Sequence, residues 1–195
     1  KDFCAGADLD ELLASADRSM AENEAAAMRL GALFMRMRDL PKPVVAVVQG
    51  RALAGGAGLA TACDIVVAGD GAQFGYPEVQ RGFVPAMVMA ILHRLTGEKL
   101  ALDLVLTGRL LAAEEARAAG LVTRVVPDAH LDREAAAITR QLTGASASAL
   151  ALTKRLFHQL DALPFDEGIA LGARVNALAR HTSDFRAAIA KFLEK

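Results

Sequence analysis

Apolar positions recur at three- and four-residue spacing among charges across residues 9–38, where Leu12, Leu13, Met28, Leu30, Leu33, Phe34 and Met37 mark a helical face. Pro41 and Pro43 end that pattern. The β-branched run 44–48 follows, bounded by Pro and Gly, and predicts a short strand buried on both faces. Residues 50–58 are glycine-rich, and 59–63 predict a short apolar helix leaving that loop. A second buried strand is predicted at 65–68 and a shorter third at 72–74. Beyond Pro85 the period changes: 85–95, 99–106 and 112–119 predict helices, with Gly97, Gly108 and Gly120 as their stops. Residues 121–126 return to strand character, and from His130 onward only helices are predicted, broken at Gly144 and Pro164. A strand-and-turn half thus precedes a helical one, so the fold class is α/β with a helical C-terminal region.

Composition narrows the function classes. The 195 residues suit one domain with at most a small appendage. A net charge of −1 offers no basic footprint for nucleic acid. Hydrophobic residues make up 53 % and charged ones 23 %, a globular balance. With 8 Phe, 1 Tyr and no Trp, the core has to be built mainly from Ala, Leu and Val. The longest uncharged runs, 52–63, 82–93 and 142–153, are too short to span a bilayer. Cys4 and Cys63 make neither a disulfide framework nor a zinc site, and no two of the four histidines stand at metal-ligand spacing. These features predict a cytoplasmic protein with no membrane partner. Lys1-Asp2-Phe3-Cys4-Ala5-Gly6-Ala7-Asp8 reads like the interior of a motif, which predicts that further sequence precedes it.

Two segments carry candidate chemistry. Gly50-Arg51-Ala52-Leu53-Ala54-Gly55-Gly56-Ala57-Gly58 follows a strand and opens a helix, a context in which backbone N–H groups point at an anion. Thr61 occupies the third Rossmann glycine position, and no Gly-Lys-Ser/Thr follows, so neither phosphate fingerprint applies. An oxyanion hole for a small charge remains, beside the plainer reading of a tight strand-to-helix crossing. In Phe74-Gly75-Tyr76-Pro77-Glu78 an acid stands beside an apolar run. Burial there would raise its pKa and suit it to general acid–base work; otherwise it is a solvated loop carboxylate.

The order of motifs resembles the crotonase (enoyl-CoA hydratase/isomerase) superfamily. The resemblance rests on Phe3 to Leu9, Pro43 to Gly50, Ala52 to Ala60, Cys63-Asp64-Ile65, Gln73-Phe74-Gly75 and Pro77-Glu78. Leu106-Thr107-Gly108, Ala112-Glu114-Ala116, Gly120-Leu121-Val122, Asp184-Phe185-Arg186 and Phe192 to Lys195 continue it to the end of the chain. It implies a ClpP/crotonase-like spiral ββα core over residues 1–126, lacking its first strands, and a helical trimerisation region over 127–195. It also implies an acyl-CoA substrate, with coenzyme A as part of the thioester and no further cofactor or metal. The backbone N–H groups of Ala7 and Gly55 match the two that hold the thioester oxygen, and Glu78 matches the second of two hydratase glutamates. The first falls on Gly58, so the resemblance implies a single acid. Where dienoyl isomerases of the family carry Asp, this chain has Ala86.

Cys4, Ala5, Asp8 and Leu9 match the loop that meets the adenine end of coenzyme A, and Asp10 stands where a lysine is frequent. Leu53, Gly58, Pro77 and Ala86 fall among the substrate-binding positions. Phe192 and Lys195 match residues reaching the nucleotide from a neighbouring subunit of a homotrimer or dimer of trimers. The resulting expectation is an enzyme of fatty acid type metabolism that stabilises a thioester enolate, with isomerisation favoured by the single acid. A decarboxylase of the same fold and an inactive acyl-CoA-binding or scaffold protein remain as alternatives.

Overall fold

A computed structural model describes residues 1–194. Two compact units divide the chain: Lys1–Met37 with Val44–Ala135, and Arg38–Pro43 with Ala136–Lys195. The sequence pattern places a boundary after Val126, whereas the second compact unit takes Ala136 onward together with Arg38–Pro43.

In the first unit, Asp8 caps a short helix α1 (Leu9–Ala14), its carboxylate accepting from the N–H groups of Asp10 and Glu11 at 2.9 and 3.1 Å. The single helix predicted over 9–38 is in fact two. A 3-10 turn at Ser15–Asp17 separates α1 from α2 (Met20–Asp39). Ser19 and Glu22 close a reciprocal capping box at that break: Ser19 N–H reaches the Glu22 carboxylate at 2.9 Å, and Glu22 N–H reaches Ser19 Oγ at 3.3 Å.

Strands β1 (Val45–Val48), β3 (Ile65–Gly69) and β6 (Arg124–Val126) form one parallel sheet in the order β1-β3-β6. β3 is central and buried along almost its whole length, but β1 alternates between buried and half-buried positions. The expectation of burial on both faces therefore holds for β3 and not for β1, which pairs on one side only among the described residues. A second sheet, β2-β4-β5, joins Arg51–Leu53 in parallel to Gln73–Gly75, which pairs antiparallel with Leu110–Ala112. The sequence pattern predicts a loop at β2, and for β5 predicts no element at Leu110 and Leu111 and the start of a helix at Ala112. Each is a three-residue strand, too short to show a period of its own.

Helix α3 (Gly55–Thr61) starts four residues before the predicted position, inside the glycine cluster. Helices α4 (Ala86–Leu95), α5 (Glu98–Thr107) and α6 (Ala113–Ala118) follow, the second ending at left-handed Gly108 as its sequence signal predicts. The core gathers Phe34, Val48, Phe74, Tyr76, Leu92, Leu104 and Leu111 around small alanines such as Ala52, Ala57 and Ala60.

Helix α7 (Leu131–Thr143) leads to the second unit's α8 (Ala147–Gln159), α9 (Phe165–Ala179) and α10 (Ser183–Leu193), separated at Gly144 and Pro164 as predicted. Asp184 fastens the start of α10 to the start of α8. Its carboxylate accepts from Ser146 Oγ, Ser148 N–H and Ser148 Oγ at 2.8, 3.0 and 2.9 Å. These bonds, led by the Ser148 N–H, hold the Asp184 carboxyl below its ordinary range. Arg38 pairs with Asp161, and Lys154 Nζ donates to the Lys42 carbonyl at 3.1 Å, which accounts for the capture of residues 38–43 by this unit.

Candidate active site

The site lies wholly within the first unit and begins with backbone. Cys4 forms a parallel bridge to Ala52: Cys4 N–H donates to the Arg51 carbonyl at 3.1 Å, and Leu53 N–H donates to the Cys4 carbonyl at 2.9 Å. The N-terminal segment is also held by Arg51, whose Nε and Nη2 reach the Asp2 carboxylate at 3.0 and 2.8 Å. That pairing draws the Asp2 carboxyl down to about 2. A depressed carboxyl contributes stability that is lost only as pH falls from the ordinary aspartate value towards about 2, so the tie is intact at neutral pH.

Beyond the bridge the two segments stay close as far as Gly6, where a Cβ would lie 3.4 Å from Ala54 Cβ. Neither Ala7 N–H nor Gly55 N–H makes a hydrogen bond among the described residues. In α3 the first intrahelical bond is Gly58 N–H to the Ala54 carbonyl, at 3.0 Å, so the Gly55 donor precedes the ladder.

The turn into α3 is strained. Ala54 has φ 52° and ψ −125°, and it is the one non-glycine residue with positive φ among the described residues. Such a conformation costs on the order of 1–3 kcal/mol and persists only where its surroundings fix it. Here the Ala54 N–H donates to the Gly75 carbonyl at 2.8 Å, tying the turn to the end of β4. Gly56 could carry no side chain, since its Cβ would lie 2.7 Å from Cys4 Cβ and 2.8 Å from Cys4 Sγ. The glycine cluster is therefore a tight crossing, and the Gly55 N–H at its exit has no partner among the described residues.

Glu78 follows the same end of β4. Tyr76 leaves the strand, Pro77 starts a 3-10 turn over Pro77–Arg81, and left-handed Gly82 closes it. Phe83 N–H donates to the Glu78 carbonyl at 3.0 Å, so the backbone around the acid is fixed. Glu78 is 8 % exposed, and its Oε2 is buried without a hydrogen-bond partner. The solvated-loop reading is thereby replaced. Burial raises the carboxyl above the ordinary glutamate range, opposed by its own backbone N–H and by Arg81. Stability should accordingly fall as pH rises from the ordinary glutamate value through the raised one, because the folded state there holds a proton the unfolded chain has lost. Turnover that needs the ionised form should rise over the same window. Calorimetric melting and rate profiles against pH check the two opposite slopes.

Tyr76 was not singled out from the sequence. It is fully buried, and burial pushes its hydroxyl up to about 12, with the Thr61 hydroxyl pulling the other way and Glu78 reinforcing the rise. The hydroxyl nonetheless makes no well-formed hydrogen bond, and Thr61 Oγ1 gives its own proton to the Ala57 carbonyl at 2.8 Å. Removing an unpaired buried hydroxyl is neutral or stabilising, so Tyr76→Phe should leave the melting temperature unchanged or higher. A loss of more than about 1 kcal/mol in thermal or urea unfolding would show that the hydroxyl has a partner.

The remaining expected residues divide by position. Cys4 and Leu53 lie on the bridge described above, and Ala5 is exposed beside them. The carboxylate of Asp8 is engaged as the cap of α1, and Leu9 is 61 % exposed on that helix. Pro77 is buried next to Glu78, whereas Ala86 is exposed at the start of α4. Gly58 is buried, with Val88 and Phe34 packed where its side chain would be. Phe192 is 75 % exposed on α10 of the second unit, and Lys195 lies outside the described residues. Among the described residues no group of three or more metal-ligating side chains occurs, and no helix is long and apolar enough to cross a membrane.

Comparison with known proteins gives the family of this fold. The family model described as enoyl-CoA hydratase/isomerase matches residues 1–195, and the chain belongs to that family. A Thermus thermophilus protein provisionally named an enoyl-CoA hydratase is 45 % identical over 195 residues, covering 100 % of this chain and 77 % of its own. The Escherichia coli 2,3-dehydroadipyl-CoA hydratase is 34 % identical, over 99 % of this chain and 74 % of its own. The crystal structure of an enoyl-CoA hydratase from Mycobacterium smegmatis superposes with a TM-score of 0.94 at 30 % identity, covering 100 % of this chain and 75 % of its own. The crotonase fold expected from the motifs is the fold observed.

Proposed function

We propose that this chain acts on an enoyl-CoA thioester through an enolate, with Glu78 as its single acid and base, and that it moves a double bond in preference to adding water. The observation that carries this reading is Glu78 itself: the only buried carboxylate among the described residues, with one oxygen unpartnered. The thioester oxygen would accept from Ala7 and Gly55 N–H. Glu78 would take a proton from the carbon next to the thioester of a 3-enoyl-CoA, giving a dienolate, and return it to the far carbon to leave the 2-enoyl-CoA. Atoms and charge balance with one carboxylate. Hydration would require the same carboxylate to activate water and deliver the α-proton.

Relatives named as hydratases favour the second reaction, so the two must be measured together. With 3-butenoyl-CoA and 2-butenoyl-CoA as separate substrates, isomerisation of the first is expected to outrun hydration of the second. The reverse order would assign the chain as a hydratase.

The homotrimer belongs to this proposal. Phe165, Ile169, Phe192 and Leu193 are 85, 61, 75 and 77 % exposed in the second unit, a concentration of large apolar side chains suited to a subunit interface. Sedimentation equilibrium should give three or six chains per particle. A monomer at micromolar concentration would remove this part of the reading.

A further inference from the structure

Position 58 lies in the first turn of α3, three residues beyond the Gly55 donor, and it is occupied by a buried glycine. The space a side chain would need there is already filled from two other helices. A Cβ at 58 would overlap Val88 Cγ1 of α4 and would lie 3.2 Å from Val88 Cβ and 3.1 Å from Phe34 Cζ of α2. Val88 and Phe34 are 3 and 5 % exposed, so neither can swing into solvent to make room. The neighbouring positions differ. A Cβ at 55 meets only Leu30 Cδ2, at 3.6 Å, which is ordinary contact. Position 56 is closed by the backbone and side chain of Cys4, whereas position 58 is closed by side chains of α2 and α4.

We infer that Val88, backed by Phe34, is a specificity-determining residue, because it fills the space that any side chain at position 58, one helical turn beyond the Gly55 donor, would need, and so holds the site to one carboxylate. This rests on the proposed enolate chemistry at Glu78. The consequence is that a second acid cannot be installed by changing residue 58 alone. Val88 must shrink at the same time. Val88→Ala removes the overlapping methyl and keeps a good helix former within α4.

The test has a packing arm and a reaction arm, both on the full-length protein. In the packing arm, Gly58→Ala should lower the melting temperature in the wild-type background and lower it much less beside Val88→Ala. Additive losses would overturn the inference, since neighbouring residues that do not compete for space show no coupling. In the reaction arm, 2-butenoyl-CoA hydration is measured for wild type, Gly58→Glu, Val88→Ala and the double variant. The double variant is expected to hydrate at least tenfold faster than wild type and than either single variant. No gain in the double variant, with its α-proton exchange intact, overturns the role of Val88 and leaves the reading of Glu78 standing. A Gly58→Glu variant that hydrates as fast as the double also overturns it. Absence of α-proton exchange in wild type would instead defeat the proposed function, and the packing arm would then decide whether Val88 closes position 58.

Discussion

Glu78→Gln should lower turnover on an enoyl-CoA by about 10²- to 10⁴-fold, the usual contribution of a positioned acid–base group. Affinity for a saturated acyl-CoA should change little, because glutamine keeps the size and the hydrogen-bonding reach of the side chain and loses only the proton chemistry. The variant should also be more stable than wild type at neutral pH. An ionised carboxylate held in a buried turn with one oxygen unpartnered costs folding energy, and the raised pKa of Glu78 records that cost. Loss of activity with a gain in melting temperature is the pattern of a group kept for function against stability. Kinetics, a binding titration and a melting curve on the same preparation check all three. Loss of binding together with activity would make Glu78 structural.

Gly56→Ala should be the most damaging single-methyl substitution in the glycine cluster. The new Cβ would lie 2.7 Å from Cys4 Cβ and also collide with the Cys4 carbonyl. That carbonyl accepts the Leu53 N–H and fixes the pairing with β2 of the segment that carries the proposed Ala7 donor. Relief of the clash has to move the 4–8 segment away from β2 and with it one of the two donors. Loss of one oxyanion donor costs about 2.7–4 kcal/mol of transition-state stabilisation, or roughly 10²- to 10³-fold in kcat. Overpacking adds about 1–3 kcal/mol of destabilisation. Gly55→Ala provides the control for stability, since its Cβ has room against Leu30. Equal melting temperatures for the two variants would contradict the geometry.

Much of this site was legible because it is carried by residue types with few alternatives. The glycines of 50–58 announced a close backbone approach, and the approach is that of Cys4 to Gly56. The acid after Tyr76-Pro77 announced itself by its apolar neighbours. Other features were hidden for physical reasons. β2 and β5 pair over three residues each, so only their partners define them. The strained Ala54 leaves no trace in composition, because alanine signals an ordinary backbone and its conformation is imposed by Gly75 and the start of α3. The break before α2 was written in Ser19 and Glu22 but was masked by apolar spacing that continues through it. The filling of position 58 by Val88 and Phe34 joins residues 30 and 24 positions away in the sequence, a relation that only the packing reveals.

The central claim is that one buried carboxylate and two backbone donors generate a thioester enolate. Its most direct test is exchange of the α-proton of butyryl-CoA in deuterated water, followed by mass spectrometry with the full-length protein and its Glu78→Gln variant. Butyryl-CoA has no double bond to hydrate or shift, so exchange reports the enolate alone. Deuterium uptake by wild type and its loss in Glu78→Gln, with both proteins binding the thioester, is the predicted result. Bound butyryl-CoA that gains no deuterium on wild type, or gains it equally on both proteins, would contradict the account.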